Sequence, residues 1–141
     1  MIGMIIDNNV LFSLMKPDSS ASRIFNLQGL KFVAPEFIKS ELDEHEDECW
    51  KKSGLPKHEF EARRAEVEAK IEFIGIIAYK KFLKKAVKAL ADSDDAPYIA
   101  LALATKMPIW SNDAELKKQI LANVLSTKEI IELFPETELE G

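Results

Sequence analysis

Asp7, Glu41, Asp92, Asp95 and Asp113 are the residues whose type and placement could do chemistry. Asp7 ends a short apolar run that reads as a strand buried on both faces. In open parallel α/β sheets, ligands bind just outside the carboxyl ends of such strands. The same residue could simply cap the following segment, NNVLFSL. Glu41 falls on a predicted helix, between Phe37 and the stripe of Ile38, Leu42 and Cys49, at the edge of the buried face. Asp92, Asp94 and Asp95 crowd the start of the helix APYIALALAT. Asp92 or Ser93 can be its cap, and acids in a first turn are favoured by the helix dipole. Three acids in four positions exceed what a cap requires. Asp92 and Asp95 also stand at i, i+3 on one side of the helix, where a second carboxylate helps hold a hard cation. Asp113 follows the run MPIW in the turn SND, where Asn112 with Glu115 could form a capping box. Topology favours chemistry: Asp7 and Asp113 both follow strands, and Asp95 starts the helix that leads back to the strand before Asp113.

Other polar residues read more simply. Asp43, Glu44, Glu46, Asp47 and Glu48 make a solvated acidic face. His45 shares a helix with Glu41 at i, i+4 and could ligate a metal, although a histidine beside a core stripe is more often packed. His58 reads as a surface residue. Lys80, Lys81, Lys84, Lys85 and Lys88 lie opposite the buried face of their helix, either as solvated surface or as a rail for RNA phosphates, with Lys80, Lys84 and Lys88 the best placed. No aromatic residues suited to base stacking are interleaved with them. Trp50 reads as an interface residue and Trp110 as core.

The elements that must position these acids alternate strand and helix, as a parallel α/β sheet requires. Strands are predicted at residues 3–6, 31–34, 72–77 and 107–110, with a shorter fifth at 123–125. Asp18, Ser19 and Ser20 offer caps for a helix to about residue 27, stopped by Gly29. Pro35 can open a long helix running to about residue 52, closed by Gly54 and Pro56. A charged helix covers 56–70. Tyr79, Phe82, Leu83, Ala86, Val87 and Leu90 form one helical stripe. Further helices span 92–106 and 112–121, and Ser126 with Glu129 makes a capping box for the last.

The chain has 141 residues, 47% hydrophobic and 30% charged, which suits a single domain over 1–141 with its own core. The lone Cys49 cannot form an internal disulfide, and the first residues are neither signal peptide nor membrane span, so a cytoplasmic location without membrane attachment is expected. A net charge of −5 argues against direct phosphate binding unless cations bridge protein to polyanion.

The segments MIIDNNVL, APEFIKSEL, DDAPYIALALA and PIWSND resemble, in order, the four acidic motifs of PIN-domain nucleases, the family that includes VapC-like ribonucleases. The resemblance covers the chain from end to end. It implies a three-layer α/β/α fold with a central parallel sheet of four or five strands, and it carries over Asp7, Glu41, Asp95 and Asp113 as metal ligands. Asp92 is a further candidate ligand, while Asn9, Ser111 and Asn112 would support the site. Asn8 stands where many members have serine or threonine, so a hydroxyl contact is missing there. An oxygen-only donor set selects Mg2+ or Mn2+ over zinc. The implied activity is metal-dependent hydrolysis of single-stranded RNA, leaving a 5′-phosphate and a 3′-hydroxyl. An antitoxin and a homodimer are the partners the resemblance implies. The main competitor is a non-catalytic RNA- or protein-binding module whose acids only cap helices. A receiver-like phosphoacceptor domain lacks support, since the acidic pair and strand-end lysine it resembles are not found.

Overall fold

The structure, a computed structural model, describes residues 2–134. The apolar opening run forms β1 (Ile2–Ile6), whose last three side chains are buried. Asp7 interrupts it and caps α1 (Asn8–Leu14), and Ser19 caps α2 (Ser20–Phe25). There follow β2 (Leu30–Pro35), α3 (Ile38–Glu44), α4 (Glu46–Ser53), α5 (Lys57–Ala69), β3 (Ile71–Ile74), α6 (Leu83–Ala89), α7 (Ala96–Thr105), β4 (Ile109–Trp110), α8 (Ala114–Lys118), β5 (Val124–Leu125) and α9 (Thr127–Leu133).

Among the described residues the strands form one parallel sheet of five in the order β3-β2-β1-β4-β5, flanked by helices in a three-layer α/β/α arrangement. Parallel neighbours need crossover connections, and the helices supply them. Central β1 is covered on both faces, which is why it is an unbroken apolar run. Gly3 lets the Met107 side chain press on it, since a Cβ there would lie 2.8 Å from the Met107 methyl. Helix α7, buried at Ala96 and from Tyr98 to Ala102, packs on β1, β2 and β4. From β1 the chain moves outward to β2 and β3, then returns to the other side for β4 and β5. The order therefore reverses between β1 and β4, and a crevice opens at their carboxyl ends.

Four of the expected elements differ in the structure. Pro35 does not open a helix: it is the last residue of β2, in register with Ile74. The single helix expected to residue 52 is two, broken at His45, whose ψ of 16° leaves the helical region. No glycine or proline marks this break. It puts Glu46, Asp47 and Glu48 in a fresh first turn, where the helix dipole offsets their repulsion, and Arg64 bridges the joint through Asp43 and Glu46. The strand expected over 72–77 stops at Ile74, where edge strand β3 reaches the last paired residue of β2, and a 3-10 turn (Ile76–Ala78) takes over. The lysine-bearing stripe also begins as a 3-10 turn (Lys80–Phe82); Tyr79 and Ala86 are buried while Val87 faces solvent.

Buried Arg63 on α5 ties α1 and α2 to the rest of the fold. Its Nε donates to the Leu14 carbonyl at 2.9 Å and its Nη2 to Ser22 Oγ at 3.0 Å, while Nη1 meets Glu66. The Leu14 carbonyl ends α1, where intrahelical donors have run out. Arg63→Ala should therefore lower unfolding free energy by about 1–3 kcal/mol, the cost of buried groups left unpaired. Lys31→Ala, which removes a solvent-exposed ion pair with Glu72, should change it by less than about 0.5 kcal/mol. Urea unfolding of the two variants checks the contrast.

Candidate functional site

Asp7 and Ser111 face each other across the β1–β4 junction. The register pairs Ile6 with Trp110, so the residue after each strand meets its counterpart at the crevice. Asp7 is 2% exposed. Its Oδ1 accepts the Val10 N–H at 2.8 Å and its Oδ2 accepts the Ser111 hydroxyl, which in turn accepts the Asp113 N–H at 3.0 Å. Burial pushes the Asp7 carboxyl above the usual range. The hydrogen bonds from Ser111 and Val10 pull it back, and the charge of Asp113 raises it further. Asp7 is thus both the cap of α1 and a carboxylate held in one rotamer at the mouth of the crevice.

Asp113 caps α8 through the Glu115 N–H at 2.9 Å. The capping box considered for Asn112 and Glu115 is not formed. Asn112 instead accepts the Thr127 N–H at 2.8 Å and donates to the Thr127 hydroxyl at 2.9 Å, tying the loop after β4 to the start of α9. Trp110 is fully buried, and its indole N–H joins the same hydroxyl at 3.0 Å.

Asp95 ends a 3-10 turn (Ser93–Asp95) at the start of α7, yet its side chain makes no capping bond. Asp92 does the capping, accepting the Asp94 N–H at 2.9 Å. The Asp95 carboxyl is pushed up to about 6, first by burial and then by the charges of Asp113, Asp92, Asp7 and Asp94. Glu41 is half-buried on α3. Its carboxylate, together with those of Asp7 and Asp95, acts on the hydroxyl of Tyr98.

Tyr98 is a functional candidate that sequence reasoning missed. It is 1% exposed, its ring packs 5.5 Å from that of Phe37, and its hydroxyl makes no hydrogen bond of normal geometry with any described residue. Burial, then the three carboxylates, push its pKa upward, against a smaller opposing effect of the Asn8 backbone N–H, so the phenol stays a neutral donor. The available signal was a single polar atom three residues after Asp95 on an otherwise apolar helix.

Among the described residues, the metal-capable side chains with ligand atoms all within 4.8 Å of one another are Glu41, Glu44 and His45. Asp7, Asp95 and Asp113 do not close to that spacing; they are coupled through mutual repulsion. Mutually repelling, partly desolvated carboxylates beside an orphaned buried donor fit a hard divalent cation, which would relieve the repulsion and bring water for the phenol to bond. Asn9 is exposed, with its side-chain amide unpaired among the described residues, while Asn8 accepts the Asn9 N–H at 3.0 Å. Lys80, Lys84 and Lys88 are exposed on elements that pack against α7, and the strongest charges acting on Asp7 and Asp95 are other carboxylates.

The Asp95 shift has a definite sign. The folded state holds the Asp95 proton up to about pH 6, whereas the ordinary carboxyl releases it near 3.8. Between these values the native state binds more protons than the unfolded one, so stability falls as pH rises and the penalty is complete above about 6. In metal-free buffer the melting temperature of the wild type should decline between about pH 4 and pH 6.5 relative to that of Asp95→Asn. Parallel thermal melts of the two proteins across that window test it; curves that stay parallel would contradict it.

The model of the PIN domain matches residues 5–133. Among solved structures, the chain resembles one chain of VapBC2 from Rickettsia felis, whose structure was determined bound to a DNA fragment from the promoter. The TM-score is 0.66 at 12% identity, covering 89% of this chain and 98% of that one. No curated protein is a significant match to the sequence.

Proposed function

The chain belongs to the PIN-domain family, whose model matches it over residues 5–133, and from that premise we propose that it is a divalent-metal-dependent endoribonuclease acting on single-stranded RNA. The observation that carries this reading is the buried Asp7 carboxylate at the β1–β4 crevice, held by Ser111 and coupled by charge to Asp113 and Asp95.

In this reading Asp7, Glu41 and Asp95 hold a Mg2+ or Mn2+ ion, with Asp113 completing the set and Asp92 as a further donor. Such an ion, when bound, neutralises charge on the phosphodiester, lowers the pKa of an attacking water and stabilises the leaving oxygen. The protein's own contribution is positional. Ser111 and the Val10 N–H hold Asp7 in one orientation, Asn112 anchors the loop carrying Asp113, and the Tyr98 phenol offers a proton donor among the carboxylates. Water adds to phosphorus, the bond to the 3′ oxygen breaks, and that oxygen leaves with a proton, giving 5′-phosphate and 3′-hydroxyl ends. Lys80, Lys84 and Lys88 serve as a rail for the RNA backbone. Replacing all three by glutamine should weaken RNA binding across sequences and flatten its log-log salt dependence by on the order of one unit per lost contact. Unchanged affinity and slope in a salt titration would reduce the stripe to a solvated face.

The likeness to a chain of VapBC2 supports a toxin role with an antitoxin protein as partner. A homodimer and a cytoplasmic location belong to the same proposal. Among the described residues no helix is long and apolar enough to cross a membrane. A non-catalytic module has one observation in its favour, since Asp7, Asp92 and Asp113 all cap helical turns. Against it stand Asp95, which caps nothing, and Asp7, whose burial is costly for a cap alone.

The test is Asp7→Asn, which keeps an oxygen for the Val10 N–H and removes a buried charge. Cleavage of single-stranded RNA should fall by at least roughly 100-fold, the upper end of losses seen when a mere supporting partner of a ligand is removed. The melting temperature of the metal-free protein should hold or rise. Full metal-dependent activity in this variant would remove Asp7 from the site.

A further inference from the structure

Resting on the nuclease reading above, we infer that the cleft between α1 and α4 is a subsite for one nucleotide of the RNA flanking the scissile phosphate. The cleft has a volume of about 790 Å³, within the range of sites that enclose small organic ligands. Its two walls, α1 with the turn that follows it and α4 with its cap, carry lining residues at the same spacing. Asn9, Phe12, Ser13 and Lys16 line one wall at i, i+3, i+4 and i+7, and His45, Glu48, Cys49 and Lys52 line the other at the same intervals.

The cleft adjoins the acids at one end. Asn8 and Asn9 directly follow Asp7, and His45 has a ring nitrogen within 4.8 Å of the Glu41 carboxylate. At the other end it is basic. Lys52 is held 3.2 Å from Glu48, and Glu48 also meets His45, so that carboxylate is already compensated. Lys16 forms no ion pair with any described residue. From Asn9 to the end of α1 at Leu14 the helix rises roughly 8 Å at 1.5 Å per residue, and Lys16 follows in the turn beyond it, which leaves room for one nucleotide between the acids and a cation able to meet the next phosphate.

Between the ends the wall is aromatic. The rings of Phe12 and His45 lie 5.4 Å apart at 49°, and both reach the cleft. A planar base can stack on such a surface whatever its identity. The unpaired side-chain amide of Asn9 adds a donor and an acceptor at the edge nearer the acids. An aromatic platform, an amide and a free ammonium in one cleft beside a carboxylate cluster match a nucleotide better than an apolar peptide. The cation of this cleft lies in the turn that directly follows the helix Asp7 caps, on a different element from the lysine stripe.

The test uses fluorescence anisotropy of a labelled single-stranded oligoribonucleotide with Mg2+ present, on the Asp7→Asn background to prevent cleavage, and KM for the same variants with Asp7 restored. Lys16→Gln and Phe12→Leu should each weaken binding and raise KM by roughly fivefold to tenfold, whereas Phe12→Tyr, which keeps the ring, should bind as the parent does. Lys16→Gln should also flatten the salt dependence by about 0.7 of a log-log unit, the value for one contact to a single strand. Lys16 is exposed, so its replacement leaves folding intact even if Phe12→Leu loosens α1. If the wild type cleaves RNA while both variants match it in affinity and KM, the cleft is not a nucleotide subsite and the nuclease reading survives alone. If the wild type neither binds nor cleaves RNA, both fall. Loss of binding to a protein partner with RNA affinity unchanged would make the cleft a protein-docking groove and overturn the inference.

Discussion

The hydrogen bond from Ser111 to Asp7 is the contact on which the rest of the site depends. It crosses the junction of β1 and β4, where the order of the sheet reverses, and it sits almost out of water. A carboxylate buried there is costly unless donors surround it, and Ser111 and the Val10 N–H are those donors. Each donor is also structural: Val10 belongs to the first turn of α1, and Ser111 orients the loop that ends in Asp113. Misplacing the carboxylate would misplace α1 and that loop together. The Arg63 clamp at the far end of α1 secures the same helix from the other side.

Around this anchor the fold accumulates negative charge it does not neutralise. Asp113 raises Asp7, and Asp113, Asp92, Asp7 and Asp94 all raise Asp95. Elsewhere the chain handles acids differently. Asp43, Glu46 and Glu68 are gathered by Arg64, and Glu48 by Lys52. Among the described residues, Asp7 and Asp95 are the carboxyls raised by neighbouring carboxylates, and they share one crevice with the buried Tyr98 phenol, the pattern of a site that receives a charged ligand. On the proposed reading, a cation in this crevice would let a chain of net charge −5 engage a polyanion.

Central β1 was legible because burial on both faces leaves an unbroken apolar run, whereas β2 and β3 carry the exposed Lys31 and Glu72. The acids after β1 and β4 were legible for the same reason, since a polar residue abruptly ending such a run stands at the sheet edge. Other features depend on partners far away in the chain. The end of β3 is set by where β2 stops. The break at His45 has no glycine or proline to announce it. Asn112 bonds Thr127, fifteen residues on, which no local capping pattern could reveal. Tyr98 looked like one more large residue on a buried helix, because only the three-dimensional placement shows its hydroxyl without a partner. The cleft between α1 and α4 is built from two stripes that each read as ordinary helix faces until the fold sets them opposite one another.

The central claim is that the crevice acids, and not some other cluster, are built for a divalent cation. Glu41 stands between two alternatives: the crevice with Asp7, Asp95 and Asp113, or its own helix with Glu44 and His45. Crystals soaked in Mn2+ and measured at the manganese absorption edge distinguish them directly. An anomalous peak is expected at coordination distance, about 2.0–2.6 Å for hard cations, from the Asp7 carboxylate, shared with Asp95 and Glu41. Manganese found only at Glu41, Glu44 and His45, with Asp7 bonded to Ser111 and Val10 alone, would contradict it.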